Sequence, residues 1–171
     1  MSETGEAAEK VILRDADGNV TEEVFLKDGA LEGEAILYSG GRLRARLLYS
    51  GGKQNGVAAY YGETGQVSMK MNYVDGKLDG ESLYFDEQGK LVRRALYEKG
   101  RLQGRTIDYY PSGKTRTVSH YTADLLHGEV WQYGEDGKLR DRFCFDRGKP
   151  HPCPQTRSAG PASHRGSLSR G

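Results

Sequence analysis

The chain repeats itself every 24 residues, and short tandem units can bury their apolar side chains only by stacking on their neighbours. Five units begin at Gly33, Gly56, Gly80, Gly104 and Gly128; the third reads GESLYFDEQGKLVRRALYEKGRL. Five residues after each leading glycine stands an aromatic: Tyr38, Tyr61, Phe85, Tyr109, Tyr133. A turn glycine follows (Gly41, Gly65, Gly89, Gly113, Gly137), and eight residues later a second aromatic: Tyr49, Tyr73, Tyr97, Tyr121, Phe145. Ahead of them, VILRDADGNVTEEVFLKDGAL reads as a degenerate unit with Gly18 in the turn column and Leu26 in place of the closing aromatic. End units of repeat arrays are atypical because they cap the stack.

Each unit reads as a β-hairpin. GESLYF and LVRRALY have strand composition with alternating faces, and DEQGK between them suits a type I turn closed by a left-handed glycine. That loop places Phe85 opposite Leu91. The first unit is one residue shorter at its turn, and a two-residue Gly40-Gly41 turn would keep Tyr38 opposite Leu43. Gly76 supplies the positive φ of the turn joining one hairpin to the next, and Gly89 closes the hairpin loop. Leu78 and Leu83 are five residues apart, so burying both on one side requires a bulge at Gly80, where a bare backbone would also let a neighbouring aromatic lie over it.

The pattern predicts an all-β fold: an elongated antiparallel β-meander of tandem 24-residue hairpins. The expected organisation is a flexible acidic N-terminus over 1–10, a degenerate capping hairpin over 11–32, five hairpin repeats over 33–149, and a disordered basic tail over 150–171. Only 36% of the 171 residues are hydrophobic and 29% are charged, too little apolar material for a thick two-layer interior. The tail holds four of the five prolines and no acidic residue after Asp146.

The units resemble the MORN repeats, specifically the MORN-variant repeats of bacterial proteins of the YwqK antitoxin type, whose units take the form DGKLDGESLYFDEQGKLVRRALYEKG. The resemblance covers roughly residues 27–149. Asp124 stands where glycine opens the other linkers, Gln54 where leucine is usual, and Thr115 where an apolar residue is usual. The resemblance implies a β-meander with an interaction role, and for the YwqK type the neutralising of a toxin partner.

No catalytic, cofactor or metal site is expected. The glycine-rich strings lack the G-x-x-x-x-G-K-S/T that a phosphate loop needs. His120 and His127, with Ser119 nearby, read as ordinary sheet and turn residues. Cys144, His151 and Cys153 leave a four-ligand metal set incomplete. With two cysteines and no apolar segment after the acidic start, reduced thiols and a cytoplasmic location are expected.

The more informative pattern is a stripe. Arg46, Lys70, Arg94 and Arg142 recur in one return-strand column, broken by Val118, while Arg44, Arg116 and Arg140 occupy another. Regular alternation puts Leu37, Tyr60, Tyr84, Asp108 and Gln132 on the same face. Leu37, Arg46, Tyr60, Lys70, Tyr84 and Arg94 are therefore the candidate partner-binding residues, since Arg and Tyr concentrate interface energy. The competing reading is a solvated face with charges matched across strands, as Lys70 with Glu81. The partner expected is a protein, such as a toxin. An anionic membrane surface, met by the stripe and by Arg147, Lys149, Arg157, Arg165 and Arg170, is the alternative. The net charge of +1 makes nucleic acid an unexpected partner, and homodimerisation is one way to finish burying the apolar face.

Overall fold

The computed structural model describes residues 7–154. Of the N-terminus expected to be flexible, residues 1–6 lie outside the described residues, and Glu9 and Lys10 already belong to a strand. Of the expected tail, residues 155–171 lie outside the described residues, and Pro150 and His151 already pair in the last strand.

All regular structure among the described residues is strand. The capping unit is β1 (Glu9–Arg14) and β2 (Val20–Lys27), followed by the short linker strand β3 (Ala30–Leu31). The first repeat is β4 (Gly33–Ser39) and β5 (Arg42–Ser50), with linker strand β6 (Lys53–Gln54). The second is β7 (Gly56–Tyr61) and β8 (Val67–Val74), and the third is β9 (Lys77–Phe85) and β10 (Leu91–Glu98), with linker strand β11 (Arg101–Leu102). β12 (Gly104–Tyr109) and β13 (Thr115–Thr122), with linker strand β14 (Leu125–Leu126), form the fourth; β15 (Gly128–Tyr133), β16 (Leu139–Asp146) and β17 (Lys149–His151) complete the fifth. The 17 strands form one antiparallel sheet in which each hairpin pairs with the next.

Two kinds of turn hold this meander. Between hairpins, two consecutive residues take positive φ, as Asp75 (50°) and Gly76 (78°) do, the twist-compatible geometry of a two-residue turn. The amide of the second turn residue then donates to a linker carbonyl one unit back: Gly52 to Leu31, Gly76 to Gln54, Gly100 to Leu78, Asp124 to Leu102, Gly148 to Leu126, at 2.7–3.0 Å. These bonds stitch the linkers into a column. Asp124, the departure from glycine, takes φ 72°, and its carboxylate accepts the Leu102 amide at 2.7 Å. Within hairpins, the Asp86 carboxylate accepts the Gln88 and Lys90 amides, Gly89 takes φ 76°, and Phe85 lies opposite Leu91. The shorter Gly40-Gly41 turn does keep Tyr38 opposite Leu43.

A second irregularity recurs that alternation alone does not show. Beyond each hairpin turn one return-strand residue is skipped: Arg44, Ser68, Val92, Arg116 and Arg140 in the repeats. In the third unit the register passes from Phe85 opposite Leu91 to Tyr84 opposite Arg93, so Val92 is the extra residue of a bulge. Every return-strand residue beyond it is displaced by one, which moves it to the other face.

Face I, defined by the pairs Leu37–Ala45 and Ala35–Leu47, carries the apolar cluster of Val24, Ala35, Ala45, Leu47 and Ala58, with Leu37, Tyr49, Tyr60 and Tyr73 packed against it. Two residues past the leading glycines run Ala35, Ala58, Ser82, Thr106 and Val130, a row of buried small or branched side chains. Face II carries Ile36, Arg46 and their equivalents. The two aromatic columns separate accordingly, Phe85 on face II and Tyr97 on face I.

Gly80 takes φ 96° within an irregular stretch, because the register steps from Tyr73–Leu78 to Met71–Ser82. The expected bulge is there, but Leu83 pairs with Lys70 and Arg94 on face II, opposite to Leu78. The side chain over Gly80 is Asn72, not an aromatic; a Cβ at Gly80 would lie 3.4 Å from its Nδ2.

The expectation of reduced thiols is overturned: Cys144 and Cys153 are joined in a disulfide with Cα atoms 5.1 Å apart. The cause is the repeat geometry. The residue at Cys144's column (Leu48, Asn72, Leu96, His120) packs over the leading glycine of the next unit. Pro152 holds that glycine's place 24 residues after Gly128, so Cys153 follows directly beside Cys144.

Candidate functional site

The bulges divide the predicted stripe between two surfaces. On face I lie Leu37, Tyr60 and Tyr84, opposite Ala45, Met69 and Arg93 respectively. On face II lie Arg46 opposite Ile36, Lys70 opposite Ala59, and Arg94 opposite Leu83. The structure brings the tyrosines together and the basic residues together, but not one set with the other. The physical reason is the skipped residue: without it, Tyr84 would pair with Val92 and share a face with Arg94.

Face I presents a line of tyrosines that alternation placed only in part. Tyr49, Tyr73 and Tyr97 come from the closing-aromatic column, and Tyr60 and Tyr84 from four residues past the leading glycines. All five are partly buried. The Tyr60 and Tyr73 hydroxyls are 3.4 Å apart, those of Tyr84 and Tyr97 are 3.3 Å apart, and Tyr73 also donates to Met71 Sδ at 3.8 Å. Burial, reinforced by the Tyr97 hydrogen bond, pushes the Tyr84 hydroxyl up to about 12. Burial and the Tyr60 contact hold Tyr73 further above the ordinary phenol range, with electrostatic contributions from Tyr84 and Tyr49. Tyr49 is raised by burial and by Tyr60. Tyr49, Tyr73 and Tyr84 thus remain neutral over the pH range of cells.

Further along face I, Arg93 Nε meets Asp108 Oδ1 at 2.6 Å, with the Asp108 side chain only 14% exposed. Beneath the tyrosines, Ser82 Oγ and Thr106 Oγ1 are buried without a protein hydrogen-bond partner.

On face II three of the column's basic residues are matched within the sheet. Arg46 pairs with Glu34 at 2.9 Å, Arg94 with Glu81 at 3.0 Å, and Arg142 with Glu129 at 3.5 Å, the same cross-strand pair in alternate units. Glu81 is therefore the partner of Arg94 and not of Lys70. Tyr38 donates to Glu23, whose carboxyl is held below its usual range by hydrogen bonds from Lys10 and Tyr38. Leu48, Val57 and Leu96 are exposed apolar positions on the same face.

Among the described residues the histidines that the sequence singles out lie apart from one another in their contacts. His120 stacks edge-on against Trp131, with ring centroids 5.4 Å apart, and His127 meets Asp146 at 3.2 Å beside a cleft of about 640 Å³ lined by Phe145, Lys149 and His151. Among the described residues no cluster of three or more His, Cys, Asp or Glu side chains could hold a metal. The disulfide also removes the Cys144 and Cys153 thiolates from any ligand set.

Compared with known proteins, the chain matches the family model of the MORN repeat variant at residues 78–99. No curated protein matches it. Among solved structures, it is similar to the crystal structure of the GtfA/B complex bound to UDP and GlcNAc, at 18% sequence identity over 64% of this chain, with a TM-score of 0.27. The likeness spans only 22% of that chain and carries no argument about this one. The chain carries a MORN repeat variant at residues 78–99, inside a sheet whose other repeats share that unit's bulge.

Proposed function

We propose that this chain is a non-enzymatic repeat scaffold that binds another protein through face I. The observation that carries the reading is the pair of hydroxyl contacts Tyr60–Tyr73 and Tyr84–Tyr97, on the face whose floor is the row of small buried side chains Ala35, Ala58, Ser82 and Thr106. Tyrosine gives a large contact area, little rotamer entropy to lose, and a polar tip for a partner's backbone. Face II supports the reading by contrast, because Arg46 and Arg94 are already bound to glutamates and a partner would have to displace them. The finer reading is that the partner is a toxin which this scaffold neutralises, as the resemblance to the YwqK type implies.

The test is affinity capture from native cells with the tagged full chain and two double variants. Tyr60→Ala/Tyr84→Ala should lose a stoichiometric partner that Arg46→Ala/Arg94→Ala retains. The reverse pattern places binding on face II. Equal loss of anionic-liposome sedimentation and partner capture in the arginine variant would favour the membrane reading instead. For the toxin, the captured partner expressed alone should arrest growth, and co-expression of this chain should restore it.

A further inference from the structure

The last unit is built differently from the other four, and the difference is covalent. In earlier units the return strand is followed by a linker, a separate two-residue strand or, after β8, the start of β9, and then by the first strand of the next hairpin, which pairs along it, as Ile107 does with Arg94. After β16 that continuation is replaced by Lys149–Pro154, with prolines at 150, 152 and 154. Proline donates no backbone hydrogen bond, so every second residue of this segment contributes nothing to a ladder from its nitrogen. Pairing is confined to Cys144–His151, Phe145–Pro150 and Asp146–Lys149. Beyond it, Arg142 Nη2 donates to the Pro154 carbonyl at 2.7 Å, and the disulfide ties Cys153 to Cys144.

From this arrangement we infer that the Cys144–Cys153 disulfide is a redox-operated clasp that caps the final strand of the sheet. Closed, it holds Lys149–Pro154 against β16. Opened, it leaves a proline-rich segment with three register pairs, and β16 becomes a free edge able to accept another strand.

The chemistry is thiol–disulfide exchange with a dithiol. Cys144 is 3% exposed whereas Cys153 is only partly covered, so an attacking thiolate reaches Cys153 Sγ. The Cys144 sulfur leaves as a thiolate and takes up a proton. The reductant's second thiol then closes its own disulfide, releasing Cys153 as a thiol. The two electrons come from the dithiol, and glutathione disulfide reverses the process.

Hydrogen–deuterium exchange on the full chain tests this, after glutathione disulfide in one sample and dithiothreitol in the other. On reduction, peptides covering 144–153 should lose protection on the order of a hundredfold, as expected for opening a ring of this size. Peptides from β4 to β12 should not change. Cys153→Ser, which leaves buried Cys144 in place, should show the reduced pattern in both samples. Identical exchange in the two redox states overturns the inference, as does a count of two free thiols in denaturant after glutathione disulfide.

Discussion

Replacing Gly80 by valine probes the joint on which the hairpin stack depends. Gly80 takes φ 96°, a conformation that a side chain disfavours by about 1–2 kcal/mol and a β-branched one by more. The new Cβ would lie 3.4 Å from Asn72 Nδ2. The γ-methyls then press on Asn72, whose Nδ2 donates to the Asp79 carbonyl at 2.7 Å, a bond worth about 0.5–1.5 kcal/mol. Together the terms give about 2–4 kcal/mol, or roughly 5–15 °C in Tm for a chain of this length. Gly80→Ala should retain only the conformational part. Gly56→Ala should exceed it, since its Cβ would stand 3.0 Å from Leu48 Cδ1. Gly62→Ala is the control, with no positive φ and nothing nearer than 3.8 Å. Thermal melts followed by far-UV circular dichroism rank the four variants. If Gly80→Val melts with the unsubstituted chain, or Gly80→Ala with Gly62→Ala, the leading glycines are not conformational joints and the account of the repeat fails.

Ser82→Ala should leave Tm unchanged or raise it, because the buried hydroxyl has no protein partner and alanine already holds that column at Ala35 and Ala58; a fall of several degrees would refute this. Arg93→Ala should destabilise by about 1–3 kcal/mol, since it strands the mostly covered Asp108 carboxylate, whereas Arg94→Ala removes an exposed pair worth under about 1 kcal/mol. Equal shifts in denaturant midpoint would contradict the two-face assignment. Because the folded Tyr84 hydroxyl titrates near 12 against an ordinary value of 10.0, its contribution to stability is complete below pH 10 and is lost as pH rises toward 12. A spectrophotometric titration of phenolate should show a late-ionising fraction that shrinks in Tyr84→Phe; a single phenol transition at the ordinary value would refute it.

Much of the fold was legible because turns and aromatics are local signals. The Asp75-Gly76 turn, the Gly89 loop, and the Phe85–Leu91 and Tyr38–Leu43 pairs all follow from loop length and residue type, and all are present. The bulge at Val92 and its equivalents carries no such signal: arginine fills that column at Arg44, Arg116 and Arg140 but serine and valine fill it at Ser68 and Val92, so no one residue type marks the skipped position. The nearest hint was the row of small residues from Ala35 to Thr106, which marks the covered face independently of pairing. The candidate site was correspondingly half legible, its residues correctly grouped by column and wrongly merged across the sheet. The disulfide was legible in principle, since residues nine apart across each junction are neighbours once the hairpins stack.

The sequence by itself determined the repeat, the hairpins, the turns and the direction of stacking, because a 24-residue period with fixed turn glycines leaves the chain no other economical way to pair its strands. Only the tertiary structure decided which residues share a face and brought the two sulfurs together. Face identity has a period of two, so one skipped residue inverts everything beyond it, and a single bulge per hairpin sorted tyrosines from arginines. The clasp between Cys144 and Cys153 likewise depends on where the last strand turns back, which follows from the whole stack rather than from either cysteine's neighbours.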